Sequence, residues 1–304
     1  MLRGLRRIIT LLAACALVPQ AAAHEVALVL SQKGGAYERF ADALRAATAG
    51  GGHQIVDGGN MEDGVDAAVL ERAELIIAAG GPAADAMAAR TGRPTLGVLI
   101  GRQQFEALRR ANPGAPFSAI VLDQPVERHV ALIRAVLPEA RRVGAVFGPD
   151  SAALQPGFAK TLEAAGLKLG ARQISALAEL LPALERTLES NDALLALPDP
   201  LVSSPSAARS LLLTSYRYRR PVFAYSQAYV DAGALAAVFS STGDVARDLG
   251  EWLNGTHGTA WQLPAPRSPR RFSIAINRQV ARALNLDIAD EATLLEQLRR
   301  GEGQ

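Results

Sequence analysis

Small, polar and charged residues gather where short apolar runs of this chain end. Ser31-Gln32-Lys33-Gly34-Gly35 follows VALVL, and Gly80-Gly81-Pro82-Ala83 follows LIIAA. Gly148-Pro149-Asp150-Ser151 follows VGAVF, and Pro198-Asp199, Tyr225-Ser226-Gln227 and Ser240-Ser241-Thr242 close three later runs. If the runs are strands leading into helices, each junction offers free helix N–H groups and flanking side chains to a ligand. Gly80-Gly81-Pro82 carries the strongest signal. Glycine allows close backbone approach, and proline in the first helical turn gives up an N–H that has no partner there, so the turn either receives a carboxylate or phosphate or simply reverses the chain. Asp150, Asp199 and Ser240 either face a ligand or cap helices. Tyr37 and Tyr225 either stack on a ligand or belong to core and rim. Asp123, beside Gln124, either touches ligand or caps the helix opened by Pro125. Candidate ligand contacts are therefore Ser31, Gln32, Tyr37, Gly80, Gly81, Pro82, Asp123, Gly148, Asp150, Asp199, Tyr225, Ser226 and Ser240.

Catalytic signatures are missing. The chain has no G-x-S-x-G elbow, phosphate loop, H-E-x-x-H pair or G-x-G-x-x-G turn, and nothing places a nucleophile beside Asp150 or Asp199. His24, His53, His129 and His257 are scattered, and are expected at the surface or as caps rather than as metal ligands. No cofactor is expected.

These junctions need elements to hold them. Apolar runs of strand length alternate with amphipathic stretches of helix length: Val26–Leu30, Gln54–Val56, Leu75–Ala79, Thr95–Ile100 and Ala119–Leu122 are strand candidates in the first half. Val143–Phe147, Lys168–Ile174, Ala193–Leu197, Val222–Tyr225 and Leu235–Phe239 repeat the rhythm in the second, before a final strand at Phe272–Ile276. Such alternation predicts βαβ units and parallel sheets covered by helices on both faces. Two sets of about five strands predict two similar lobes, crossing at Leu122-Asp123-Gln124-Pro125. The expected division is 24–122 plus about 243–262 for one lobe, and 123–242 plus about 263–304 for the other.

Before residue 24 the pattern changes. Arg3, Arg6 and Arg7 precede an apolar core from Ile8 to Val18 and a small-residue Ala21-Ala22-Ala23, which predicts an export signal over 1–23 and a protein in the periplasm. Leu12-Ala13-Ala14-Cys15 also fits a lipobox, so an anchor at Cys15 is the alternative. The 32 basic and 30 acidic side chains become 29 and 30 without the leader arginines, and no basic run suggests nucleic acid. Cys15 is the single cysteine, so the mature chain would form no disulfide.

From residue 121 onward the succession of motifs resembles a known family. VLDQPVERHVALIRAVLPEARRVGAVFGPDSAAL, DALLALPD, RRPVFAYSQAYVDAGALAAVFS, GDVARDLGEWLNG and RRFSIAINRQVARALNLDI look like segments of bacterial ABC transporter substrate-binding proteins, in the group that includes tryptophan/tyrosine-type binding proteins. In the first half, LIIAAGGPAADA followed by RPTLGVLI is similar to that family's strand–glycine–helix segment. The resemblance implies an α/β fold of two doubly wound parallel-sheet lobes joined by a hinge, of the periplasmic binding protein type I kind, closing on a small molecule. It implies no enzyme activity, an ABC permease in the inner membrane as partner, and a monomer. By position, Gly80, Gly81, Pro82, Asp199 and Ser226 fall where the family meets its ligand. The chain departs from the family at Gly101-Arg102-Gln103-Gln104 and at Tyr225-Ser226-Gln227. Arg102 there either favours an anionic ligand group or faces solvent. A sensory protein presenting its ligand to a membrane kinase or receptor is the alternative reading, and an exported hydrolase a more distant one.

Intact mass of the exported protein tests the leader: cleavage after Ala23 leaves His24 as the N-terminus, whereas a diacylated Cys15 refutes soluble release.

Overall fold

The computed structural model describes residues 24–90, 92–256 and 261–302. The expected leader with Cys15, and His257, lie outside the described residues. The first half forms β1 (His24–Leu30), α1 (Gly35–Thr48), β2 (His53–Asn60), β3 (Gly64–Val65), α2 (Ala67–Arg72), β4 (Leu75–Ala79), α3 (Gly81–Ala88), β5 (Thr95–Val98), α4 (Arg102–Ala111) and β6 (Phe117–Ile120). Then come α5 (Val126–Val136), β7 (Arg142–Phe147), α6 (Gln155–Ala164), β8 (Lys168–Gln173), α7 (Leu180–Ser190), β9 (Ala193–Leu195), α8 (Pro200–Ser203), α9 (Pro205–Arg217), β10 (Val222–Ala224), α10 (Gln227–Asp231) and β11 (Ala236–Phe239). The last elements are α11 (Thr242–Asn254), β12 (Ser273–Ile276), α12 (Arg278–Ala283) and α13 (Glu291–Glu302).

The strands sort into two six-stranded sheets, ordered β3-β2-β1-β4-β5-β6 and β12-β11-β10-β9-β7-β8. Each contains the same parallel core, in which the second strand pairs outside the first and the third pairs on its other side. The fold is therefore two doubly wound α/β lobes. Both sheets also carry one antiparallel edge, β3 against β2 and β12 against β11. The expected parallel, doubly wound sheets are thus present, and the antiparallel edges add to them a feature that an apolar run does not encode, strand direction. The central strands are apolar throughout because helices cover both faces: every residue of Leu75–Ala79 is buried.

One helix returns across the lobe boundary. α11 follows β11 of the second sheet, yet its Val245, Ala246, Leu249 and Leu253 share a core with Phe40 and Leu44 of α1. Contact with α1 is close at Gly250, where a Cβ would come within 2.6 Å of the Ala47 Cβ. A capping box starts α11: Ser241 accepts from the Asp244 N–H, and the Asp244 carboxylate accepts from Ser241.

Three segments cross between the lobes, and side chains bind them together. The Val121 N–H donates to the Arg267 carbonyl at 2.9 Å, joining the first and third crossings. Gln124 is buried at the first, where its Nε2 donates to the Leu122 carbonyl at 3.1 Å and to Ser240 Oγ of the second at 2.9 Å. Ser240 Oγ in turn donates to the Arg271 carbonyl of the third, at 2.7 Å. The Gln124 Oε1 accepts from Arg128 Nη1 at 2.8 Å; Arg128 also donates to the Pro269 carbonyl, pairs with Glu302 of α13 and lies 4.1 Å from the Phe272 ring centroid.

The histidines depart from expectation. His129 is neither a surface residue nor a cap but is buried on α5, with Nδ1 lacking a hydrogen-bond partner. His24 and His53 pack around Trp261, and His24 Nδ1 sits 2.8 Å from Glu74. Burial, reinforced by the Arg128 cation, lowers the His129 pKa from 6.5 to about 4. The unfolded chain takes up this proton near pH 6.5 while the folded chain resists until about 4, so the contribution of His129 to stability is complete above 6.5 and declines as pH falls between them. Urea unfolding at pH 7 and pH 4.5 should show a loss on the order of 2–3 kcal/mol in the native protein that His129→Leu does not share. Equal pH dependence in both would contradict the assignment. Gln124→Leu keeps the volume but strands Arg128 and Ser240, and should cost about 2–3 kcal/mol in the same assay at pH 7; a change near zero would show that the crossing holds without the amide.

Candidate functional site

In each sheet the strand order reverses beside the first strand of the parallel core, and a crevice opens there beyond the carboxyl ends. In the first lobe this point lies between β1 and β4. Ser31 Oγ donates to the Ala79 carbonyl at 2.8 Å and accepts from the Ala83 N–H at 3.0 Å, so the hydroxyl ties the end of β1 to β4 and to the start of α3. Tyr37 lies over Gly80, where a Cβ would come within 2.5 Å of both its Oη and Ser31 Oγ; Gly80 also holds a φ of 91°. Glycine is required here on both counts.

The start of α3 is less open than its sequence suggests. The Gly80 N–H donates to the Val98 carbonyl, Pro82 has no N–H, and the Ala83 N–H is held by Ser31. Among the described residues, this leaves the Gly81 N–H as the unengaged donor of that turn, with the Gln104 side chain of α4 against it. Asp123 does not cap α5. Its carboxylate accepts the Arg102 N–H of α4 at 2.6 Å, a partner 21 residues away that local sequence cannot reveal. The Arg102 guanidinium, half-buried at the start of α4, has neither ion pair nor hydrogen bond among the described residues. Gln32 is exposed.

In the second lobe the corresponding point lies between β7 and β9. A Cβ on Gly148 would fall on the Asp199 carboxylate, so glycine is needed for the two strand ends to meet. Asp199 is 1% exposed. It accepts from the Ser151 N–H and Oγ, each at 2.8 Å, and from the Leu201 N–H at 2.9 Å, starting α8 and bracing the turn after β7. In this conformation Asp199 positions the crevice wall rather than facing it. Asp150 is exposed and caps no helix; Ser151 performs the bracing. Ser226 Oγ caps α10 by accepting the Tyr229 N–H at 3.3 Å. Tyr225 is half-buried, its ring 5.3 Å from that of Tyr229. Burial raises the pKa of Tyr225, outweighing the opposing influence of the neighbouring Ser203 and Tyr229 side chains, so its phenol stays protonated and able to donate. Ser240 is half-buried and belongs to the crossing network.

The structure thus gathers Ser31, Tyr37 and Gly80 at one switch point, and Gly148 and Asp199 at the other. Arg102 and Asp123 meet near the first, Tyr225 and Ser226 follow β10, and Gln32 and Asp150 stand apart. Sequence reading omitted Gln104, Ser151 and Arg128. The Ser beside Asp150 was the available signal for Ser151; nothing local marks Arg128. Among the described residues, no group of three His, Cys, Asp or Glu side chains is arranged to hold a metal ion. The groups lining the crevices are suited to hydrogen bonding, stacking and ion pairing with a small molecule.

None of the curated proteins matches the chain. Among solved structures, it is similar to the ligand-free, open structure of CD0873, a substrate-binding protein with adhesive properties from Clostridium difficile (17% identity, 88% of this chain and 96% of that one, TM-score 0.64). It is also similar to an ABC domain in complex with L-Trp from Streptococcus pneumonia (17% identity, 90% and 98%, TM-score 0.58). A conserved domain protein from Vibrio cholerae matches at 20% identity over 90% and 98%, with a TM-score of 0.55. At these identities the likenesses establish the two-lobe fold. The family pattern described as ABC transporter substrate binding protein matches residues 67–291, taking in the switch points after β4, β7 and β9 together with all three crossings, and the chain belongs to that family.

Proposed function

We propose that this chain is exported and captures a small, amino-acid-like solute between its lobes, delivering it to an ABC permease in the inner membrane. The observation that carries this reading is the pairing of two switch points, each built around a glycine, with three crossing segments bound through Gln124 and Ser240. A ligand touching both walls favours the closed arrangement by its differential affinity for it, and closure removes the ligand from water. An amino-acid-like solute suits the available chemistry. The Arg102 guanidinium and the Gly81 N–H match a carboxylate, and Tyr37 and Tyr225 offer a ring on either lobe for an aromatic side chain. The Streptococcus pneumonia neighbour is in complex with L-Trp, which agrees with that class.

Native mass spectrometry of gently purified protein, followed by calorimetry against tryptophan, tyrosine, phenylalanine and their deaminated analogues, tests the proposal. Binding should weaken about tenfold or more in Arg102→Gln, the expected loss for a charge-assisted hydrogen bond. A panel without binding overturns the ligand class, and unchanged affinity in the variant removes Arg102 from the site.

A further inference from the structure

α9 has two faces of use. Ala207, Leu211, Thr214 and Ser215 are buried on its inner face. Arg209, Leu212, Leu213 and Tyr216 follow the i, i+3, i+4, i+7 spacing of a second stripe, and Arg220 comes just after the helix ends. Leu213 is 61% and Tyr216 79% exposed, the two most exposed large apolar side chains among the described residues. Grooves of about 520 and 650 Å³ flank this ridge and share Leu212, Tyr216, Gly233 and Val280.

Charge surrounds the ridge. Between Asp199 and Asp231 the sequence has Arg209, Arg217, Arg219 and Arg220 and no acidic residue, although the whole chain is nearly balanced. All four arginines line one groove or the other. Their acidic neighbours are few: Glu185 lies 3.9 Å from Arg217, and Asp192 is near Arg220, whose Nε donates to the Leu188 carbonyl.

We propose that this ridge docks the protein on an anionic phospholipid surface. Leu213 and Tyr216 enter the headgroup layer, where an aromatic side chain with a polar tip is at home, and the arginines meet lipid phosphates. Leu213 and Tyr216 are largely exposed beside two adjoining grooves rather than sunk into either, which suits a broad surface better than a single helix lying in one groove. A second copy packed face to face would bring the arginine sets together, so self-association is opposed by charge. The ridge lies on α9, apart from the crossing segments, so docking leaves the hinge network untouched.

Co-sedimentation with vesicles of phosphatidylcholine alone, or with about a third phosphatidylglycerol, tests the proposal at low salt. Binding is expected only to the anionic vesicles, weakening as salt rises. It should fall about tenfold in Leu213→Ser/Tyr216→Ser and in Arg209→Gln/Arg217→Gln, with far-ultraviolet circular dichroism confirming that both variants fold. Absence of binding to the anionic vesicles, equal binding by folded variants, or release by free glycerol phosphate overturns the proposal, the last assigning the arginines to a soluble phosphate. Sedimentation velocity provides a second check: a dimer lost in Leu213→Ser/Tyr216→Ser would assign the ridge to self-association and equally overturn it.

Discussion

The buried Gln124 amide has to satisfy three partners at once. Its nitrogen serves the Leu122 carbonyl and the Ser240 hydroxyl, while its oxygen serves Arg128. A carboxylate could accept from Arg128 but could not donate to Leu122, and an apolar side chain could do neither. Only a neutral group with both donor and acceptor completes the set. Because the Ser240 hydroxyl donates its own hydrogen bond to the Arg271 carbonyl, the amide reaches the third crossing through one intermediary. In a low-dielectric interior such a network is costly to leave half-made, so it holds the crossing segments together.

That constraint explains the acidic residues around the crevices. Asp123 holds the start of α4, Asp199 holds the turn after β7 and the start of α8, and Asp66 holds α2 through the Ala68 and Val69 N–H groups. Each carboxylate meets the positive end of a helix or a turn, where free N–H groups need an acceptor. These acids shape the walls. Under the proposed function, recognition falls to groups that the scaffold does not consume: the Arg102 guanidinium, the Gly81 N–H and the two half-buried tyrosines.

Sequence carries some of this and hides the rest for physical reasons. The apolar runs at Leu75–Ala79 and Val143–Phe147 announce buried strands because helices cover both sheet faces, leaving no polar alternation. β3, with two residues, is too short to show a period. α8 and α10 are similarly short and are set by caps, Asp199 and Ser226, that read equally well as ligand contacts. Asp123 illustrates the harder case. Pro125 beside it suggests a local cap, but the actual acceptor relationship is to α4, fixed only when β5 and β6 pair. Gly80 and Gly148 were legible as glycines with a purpose, though the purpose differs: each makes room for a side chain of the protein itself.

α11 shows how the crossings can bend without coming apart. Asp244, Asp248 and Glu251 are spaced i, i+4, i+7 and so share one face of the helix. Asp244 accepts from Ser273 at 2.7 Å, Asp248 from Arg267 at 2.6 Å, and Glu251 from Arg271 Nε at 3.0 Å. Burial alone would raise the Asp244 carboxyl, but hydrogen bonds from Ser241, Ser273 and Arg247 outweigh it and hold its pKa below the ordinary value, keeping the charge in place. The opposite face of α11 is locked into the first lobe through Val245, Ala246, Leu249 and Leu253. The third crossing is thus bonded along its length to a helix that moves with lobe 1, while its end continues into β12 of lobe 2. Any movement of β12 relative to α11 strains the Asp244–Ser273 contact, which spans the two lobes. Rotation about backbone dihedrals near Ser240 and Arg271 leaves the Asp248–Arg267 and Glu251–Arg271 contacts within the part that moves with lobe 1, and rotation is therefore the motion that this network resists least.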